Sequence, residues 1–196
     1  MTRSSQLYFT LFFLMVSFSC FGQPLKKALD ANDTAAALIL LQHGADINEK
    51  DTEQGNNVIQ YFCRWGKKDI VVFLLNHGCN PDKNPSAKGR TALHVACAYY
   101  SCKDICELLI AHGANVNAVT LDGTTPLMLA AGNAKKEVVE LLLQKGAKAS
   151  QKDNKEKTAL DYANALKPDT EQYAKQATKN CVIDKAATIK VLANTP

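Results

Sequence analysis

The sequence contains none of the short motifs that organise common enzyme sites. There is no GxGxxG or Walker phosphate-binding loop and no HExxH zinc motif anywhere in the 196 residues. Such motifs place a nucleophile, a base or a phosphate in the geometry that chemistry requires. Their absence predicts a protein that is not an enzyme and that needs no cofactor.

The chain also lacks a dense run of basic residues. Its net charge is only +4, and charged residues make up 21% of the sequence. Nucleic-acid-binding and lipid-binding arms are typically strongly basic, so we expect no nucleic-acid partner. An apolar content of 46% over 196 residues suits an ordinary globular protein with one sizeable core or two small ones.

The N-terminal apolar run is too short for a membrane span. Leu7–Phe18 contains twelve residues without a charge, after Arg3 and before the small residues Cys20 and Gly22. A spanning helix needs about 20 apolar residues, whereas a secretory signal peptide has this shorter pattern. We therefore predict a signal peptide over residues 1–22, and an exported chain, periplasmic or secreted, without membrane insertion after cleavage. A lipid anchor on Cys20 is the alternative.

A regular period runs through the rest of the chain. Two series of glycines mark this period: Gly44, Gly78, Gly113 and Gly146 in the first, and Gly55, Gly89 and Gly123 in the second. Successive glycines keep nearly the same spacing in both series. Each period holds two apolar segments, which predicts stacked helix-turn-helix repeats and an all-α solenoid.

The repeated segments resemble ankyrin repeats, in particular GRTALHVACA, DGTTPLMLAAGNAKKEVVELLLQKGA and HGANVNAVTLDGTTPL. The resemblance covers about Pro24 to Ala163 and suggests the exported, signal-peptide-bearing bacterial type. It implies about five helix-turn-helix units joined by β-hairpin-like loops. Repeat two departs most from the pattern, because Asn57-Val-Ile-Gln60 replaces the usual Thr-Pro-Leu-His turn. We place the repeat domain at 23–196, with repeats at about 24–50, 52–83, 88–118, 122–151 and 155–167, and C-terminal capping helices within 168–196.

One short stretch has the composition of a structural zinc site: His94, Cys97, Cys102 and Cys106. The repeat pattern offers another explanation. The resemblance implies that His94 hydrogen-bonds the backbone of its own turn, and Cys106 replaces a valine that is buried in other repeats. We therefore expect buried free cysteines and no metal, with a Cys97–Cys106 disulfide and a zinc site as the alternatives.

The other histidines also have places in the repeat. His43, His77 and His112 each precede a glycine of the first series, so they stand one repeat apart. Packed helices are about 10 Å apart, whereas zinc ligands lie about 2.1 Å from their ion. These histidines therefore cannot share a metal, and none is available as a general base.

The candidate partner-binding residues are those that the repeat core does not need: Arg64, Trp65, Tyr99, Tyr100, Val119 and Leu121. Trp, Tyr and Arg are enriched among interface hot spots. The alternatives are packing of Trp65 over Tyr99 of the next repeat, and mutual packing of hairpins around Val119 and Leu121.

The resemblance implies a monomeric scaffold that binds a protein partner through its concave face and hairpin tips. In an exported chain, the alternative is a dedicated inhibitor or immunity-type partner of one secreted or periplasmic enzyme.

Overall fold

The computed structural model describes residues 24–50, 56–83, 85–99, 103–165 and 184–195. The predicted signal peptide, Tyr100, Cys102 and Cys181 lie outside these ranges. The chain divides into two compact units, Met1–Glu49 and Lys50–Pro196, which are described separately below.

The N-terminal unit contains two helices, α1 (Pro24–Asp30) and α2 (Thr34–Gln42). Leu25 and Leu29 of α1 are fully buried. The Asp33 side chain begins α2 by accepting a hydrogen bond of 2.9 Å from the backbone N–H of Ala36. These two helices form the first predicted repeat.

The described part of the second unit contains eight helices and no strand: α3 (Val58–Arg64), α4 (Lys68–Asn76), α5 (Ala92–Ala98), α6 (Lys103–Ala111), α7 (Pro126–Gly132), α8 (Lys136–Gln144), α9 (Ala159–Asn164) and α10 (Lys185–Ala193). The first helices of successive repeats, α3, α5, α7 and α9, pack side by side in one layer. The second helices, α4, α6, α8 and α10, form the other layer. The predicted all-α repeat architecture is confirmed.

The helix ends follow from particular side chains of the repeat. Thr125 Oγ1 accepts a hydrogen bond of 3.2 Å from the backbone N–H of Met128, and Pro126 occupies the first turn of α7, where no amide partner is needed. At the other end of the repeat, α8 finishes at Gln144 and Gly146 follows with a φ of 86°. Glycine is the residue that adopts this left-handed conformation most readily, so it ends the helix sharply.

Helix α10 occupies a position that the sequence pattern did not assign. It packs against both α8 and α9, as the second helices of repeats three and four pack against their own first helices and the preceding second helices. Thr188 is fully buried there and Leu192 is nearly so. The helix therefore completes the fifth repeat, although a long segment separates it from α9. Its sequence lacks the aliphatic run of α8, which is why the pattern identified only terminal helices.

Buried side chains of α3 and α5 hydrogen-bond these first helices to the connection that follows each repeat. His94 Nδ1 accepts a hydrogen bond from the backbone N–H of Thr91 (3.2 Å), so Nε2 carries the proton and donates to the carbonyl of Thr124 (3.1 Å). In repeat two, Gln60 Oε1 accepts from the N–H of Asn57 (3.1 Å), and Nε2 donates to the carbonyl of Arg90 (2.7 Å). The Asn57–Gln60 turn, which departs from the sequence pattern, therefore makes the same two hydrogen bonds with the side-chain amide of Gln60.

Candidate interaction surface

In the part of the chain that the structure describes, three connections between repeats end in turns of the same form. The backbone N–H groups of Ser86, Thr120 and Asp153 each donate to the carbonyl four residues later, at 2.9, 3.0 and 3.0 Å. We call these tips, residues 85–90, 119–124 and 152–157, the hairpin edge. They reverse the chain as hairpins do, but no regular strand forms in the described part of the chain.

Neighbouring tips are joined by backbone hydrogen bonds. The N–H of Leu121 donates to the carbonyl of Lys88 (3.1 Å), and the N–H of Asn154 donates to the carbonyl of Asp122 (3.0 Å). Gly123 permits the second approach, because a Cβ atom there would lie 2.7 Å from Asn154 Oδ1. The tips therefore form one continuous edge.

The predicted contact residues Val119 and Leu121 both lie on this edge. A Cβ atom added at Gly89 would lie 3.5 Å from Leu121 Cγ, so the leucine side chain covers the neighbouring tip. Even so, Leu121 stays 76% exposed and Val119 stays 51% exposed. Mutual packing of the tips thus accounts for only part of their apolar surface.

The second group of predicted contact residues lies where α3 and α5 end. The guanidinium carbon of Arg64 lies 4.6 Å from the centroid of the Tyr99 ring and 5.9 Å from that of Trp65. The Trp65 ring meets Tyr61 edge-on, with centroids 6.5 Å apart. We call Tyr61, Arg64, Trp65 and Tyr99 the aromatic cluster. Trp65, which follows the last residue of α3, is 52% exposed, whereas Phe62 of α3 is buried.

Two members of this neighbourhood were missed by sequence reasoning. Tyr61 stands four residues before Trp65, and this helical spacing could have indicated the contact. Lys135 is nearly fully buried, and its Nζ donates to the carbonyl oxygens of Ala96 (3.2 Å) and Tyr99. A cation is favourable at the carbonyl end of α5, so Lys135 holds the Tyr99 end of that helix against repeat four. Nothing in the sequence distinguished this lysine from a surface one.

The structure describes four cysteines, and all four are buried: Cys63, Cys79, Cys97 and Cys106. Burial raises the pKa of the Cys97 thiol, and a hydrogen bond with the Cys106 thiol adds to this effect. Burial of these four agrees with the expectation, and their redox state stays a prediction. The Cys97–Cys106 disulfide stays a prediction, while among the described residues no three or more His, Cys, Asp and Glu side chains are arranged as ligands for a metal ion.

The other three described histidines cap the C-terminal ends of the second helices. Nδ1 of His43, His77 and His112 donates to the carbonyl four residues earlier, at 2.8, 2.7 and 2.8 Å. These bonds satisfy carbonyl groups that a helix end leaves without an intrahelical partner. Within the described ranges, moreover, no helix is both long and apolar enough to cross a bilayer.

Comparisons with known proteins agree with the geometry of the repeats. A family model described as ankyrin repeats (3 copies) matches residues 25–120, and one described as ankyrin repeats (many copies) matches residues 109–163. Together these matches cover residues 25–163, which is more than half of the chain.

Several curated proteins are similar over part of their length. Human BCL-6 corepressor-like protein 1 is 35% identical over 111 residues, which are 57% of this chain and 6% of that protein. An ankyrin repeat protein of Fowlpox virus (strain NVSL) is 33% identical over 130 residues, 63% of this chain and 38% of that protein. Rabankyrin-5 of Mus musculus is 29% identical over 158 residues, 74% of this chain and 13% of that protein.

The chain thus spans between 6% and 38% of the length of these relatives. Ankyrin repeats generally mediate protein–protein interaction and are typically not enzymes. The chain belongs to the ankyrin-repeat family.

Proposed function

We propose that this protein is an exported scaffold that binds one protein partner through the aromatic cluster and the hairpin edge. The observation that carries the proposal is the half-exposed Trp65, which is held in place by Tyr61 and by Arg64 while Arg64 also covers Tyr99 of the next repeat. Trp and Tyr side chains have few rotatable bonds and lose little conformational freedom on binding, and Trp, Tyr and Arg are enriched among interface hot spots.

Affinity capture from the protein's native envelope and medium tests this proposal. The bait is the chain from residue 23 onward, compared with Trp65→Ala/Tyr99→Ala. Phe73→Ala/His77→Ala is a matched control, because that aromatic pair, with ring centroids 4.3 Å apart, lies on the second-helix layer. We expect one protein to be recovered by the wild type and the control, and its recovery to fall at least about tenfold with the cluster variant.

Equal recovery by both variants would show that the aromatic cluster is not the contact site. Unfolding of the cluster variant, measured by circular dichroism, would show that these residues are structural instead. If the recovered partner is an enzyme, stoichiometric loss of its activity would identify the inhibitor alternative within the same proposal.

Export is the part of the proposal that depends on the N-terminal segment, which lies outside the described residues. The charged start, the short apolar stretch and the small residues that follow support it. N-terminal sequencing of the protein from its native source should begin at Gln23. A chain that retains Met1 or Thr2 would contradict export by this route.

A further inference from the structure

We infer that the hairpin edge binds an extended segment of the partner protein in which two acidic clusters flank an apolar residue. This inference rests on the proposed function and specifies the chemistry of the partner. It follows from an asymmetry of charge between the hairpin edge and the second helices.

The second-helix face neutralises its own charges. Lys68 pairs with Asp104 across two repeats (2.7 Å). Two further ion pairs lie within single helices, Lys103–Glu107 (3.4 Å) and Lys136–Glu140 (3.6 Å). Asp69 and Glu137 of the same helices are exposed and acidic, so this face carries no excess of positive charge.

The hairpin edge and its approach carry basic side chains that are not compensated in this way. Lys83, Lys88, Lys155 and Lys157 are exposed, and none forms an ion pair with an acidic side chain of the described residues. Arg90 adds a half-buried guanidinium at the first tip. Such groups favour an anionic partner, and they also accelerate its association.

The carboxylates of the same region are already engaged within the protein. Asp82 accepts from the N–H of Asn115 (2.8 Å), and Asp122 accepts from the Thr120 hydroxyl. Asp153 is buried and accepts from the N–H groups of Lys155 (2.8 Å) and Lys157 (2.9 Å) and from the Tyr162 hydroxyl (2.8 Å). Glu156 pairs with Lys152 at 2.8 Å. These four carboxylates keep their negative charge, but the hairpin edge and its approach contain six basic side chains, so the region keeps a net positive charge: Lys83, Lys88, Arg90, Lys152, Lys155 and Lys157.

The positions of these side chains define a pattern. Lys88 and Lys155 stand two periods apart in the sequence, so they occupy equivalent places on the first and third tips. Two repeat spacings of about 10 Å separate them by about 20 Å, and an extended peptide covers that distance in about six residues. At the equivalent place the middle tip has Asp122, which accepts from the Thr120 hydroxyl, and beside it Leu121 is 76% exposed. The complementary segment is therefore acidic at both ends and apolar at its centre.

Selection from a display library of random peptides, each long enough to span all three tips, tests this inference. The immobilised protein begins at residue 23. The selected peptides are then titrated against Lys83→Gln/Lys88→Gln/Lys155→Gln/Lys157→Gln, and against Lys68→Gln/Lys103→Gln/Lys136→Gln/Lys145→Gln, which removes the same charge from the second-helix side. A third variant, Leu121→Ala, tests the apolar centre, and single-stranded DNA of equal charge is a polyanion control.

We expect wild-type selection to yield peptides with two acidic clusters about six residues apart around an apolar residue. Their Kd should rise at least about tenfold with the hairpin-edge variant and with added salt, and it should stay within about twofold for the second-helix variant. Leu121→Ala should also weaken binding. Three outcomes would overturn the inference while leaving the scaffold proposal in place. They are selection of neutral or basic peptides, an equal loss of peptide affinity in both charge variants, and tighter binding of the DNA than of the peptides. If capture also fails, the scaffold proposal itself falls.

Discussion

At the scale of single residues, the buried imidazole of His94 makes stability depend on pH. Burial is the main reason that its pKa is lowered from 6.5 to about 4. Between these values the unfolded chain binds a proton that the folded chain excludes, so the free energy of unfolding must decrease as the pH falls from 6.5 to 4. Between the two pKa values, the slope that His94 gives to the free energy of unfolding approaches about 1.4 kcal/mol per pH unit. Above pH 6.5 the residue is neutral in both states, so its stability penalty is absent. Urea unfolding between pH 4 and 7.5 measures this pH dependence.

The variant His94→Gln is the matched control, because Gln60 already makes the same two hydrogen bonds in repeat two. The variant should keep the fold and lose this part of the pH dependence. The acidic side chains contribute equally to both proteins, so the difference between the two profiles isolates His94. Superimposable profiles would contradict the assignment of a neutral, buried imidazole.

Gly123 is the second residue with a specific prediction. It has a φ of 79°, and an added Cβ would meet Asn154 N at 2.9 Å. Gly123→Ala should lower the free energy of unfolding by about 2–4 kcal/mol, since backbone strain and displacement of the next tip add together. Gly113→Ala, at a φ of 87° with no atom within 4 Å, should cost only about 1 kcal/mol. Equal losses in urea unfolding would mean that the contact between tips contributes nothing.

These residues also show what the sequence can predict. His94 could be assigned from its place in a known turn, because that turn recurs in phase with the repeat. Gln60 could not, since an amide substitutes for imidazole only when the next repeat brings a carbonyl within reach. The buried role of Lys135 could not be predicted for the same reason, because its hydrogen-bond acceptors, the carbonyls of Ala96 and Tyr99, belong to another repeat.

At the scale of elements, α10 is the helix whose removal is most informative. Its buried Thr188 and Leu192 lie where α10 packs on α8 and α9, and the N–H of Asp184 donates to the carbonyl of Ala134 (3.0 Å). A chain that ends at residue 183 should lose about 2–4 kcal/mol of stability, because the last repeat would expose its apolar face. Thermal and urea unfolding compare it with the full chain.

A chain that ends at Asn194 is the control for this truncation, since it keeps all of α10 (Lys185–Ala193). It should unfold at the same urea concentration as the full chain. If removal of residues 184–196 were equally harmless, α10 would not be part of the cooperative repeat stack.

The elements differ in how far local pattern determines them. The helices of the repeats could be predicted because threonine caps and small alanines recur in the first helices, and glycines recur at the ends of the second helices. Helix α10 could be predicted as a helix but not as the partner of α9. Its role depends on a contact made across a long intervening segment, and Thr188 replaces the aliphatic side chain that would have continued the pattern.

At the scale of the whole molecule, the sequence predicts the class of protein more readily than its contact surface. Repeat phase places Arg64, Trp65 and Tyr99 near one another, because successive first helices end at the same level of the stack. It does not predict that Arg64, rather than Trp65, covers the Tyr99 ring, nor that Tyr61 joins the cluster. Those contacts depend on side-chain rotamers that repeat spacing leaves open.

Amide hydrogen exchange of the protein, free and bound to its captured partner, tests the central claim most directly. We predict that binding slows exchange at the ends of α3 and α5 and along the hairpin edge, and leaves the outer faces of α4, α6 and α8 unchanged. Protection confined to those second helices would contradict an interaction scaffold that uses the aromatic cluster and the hairpin edge.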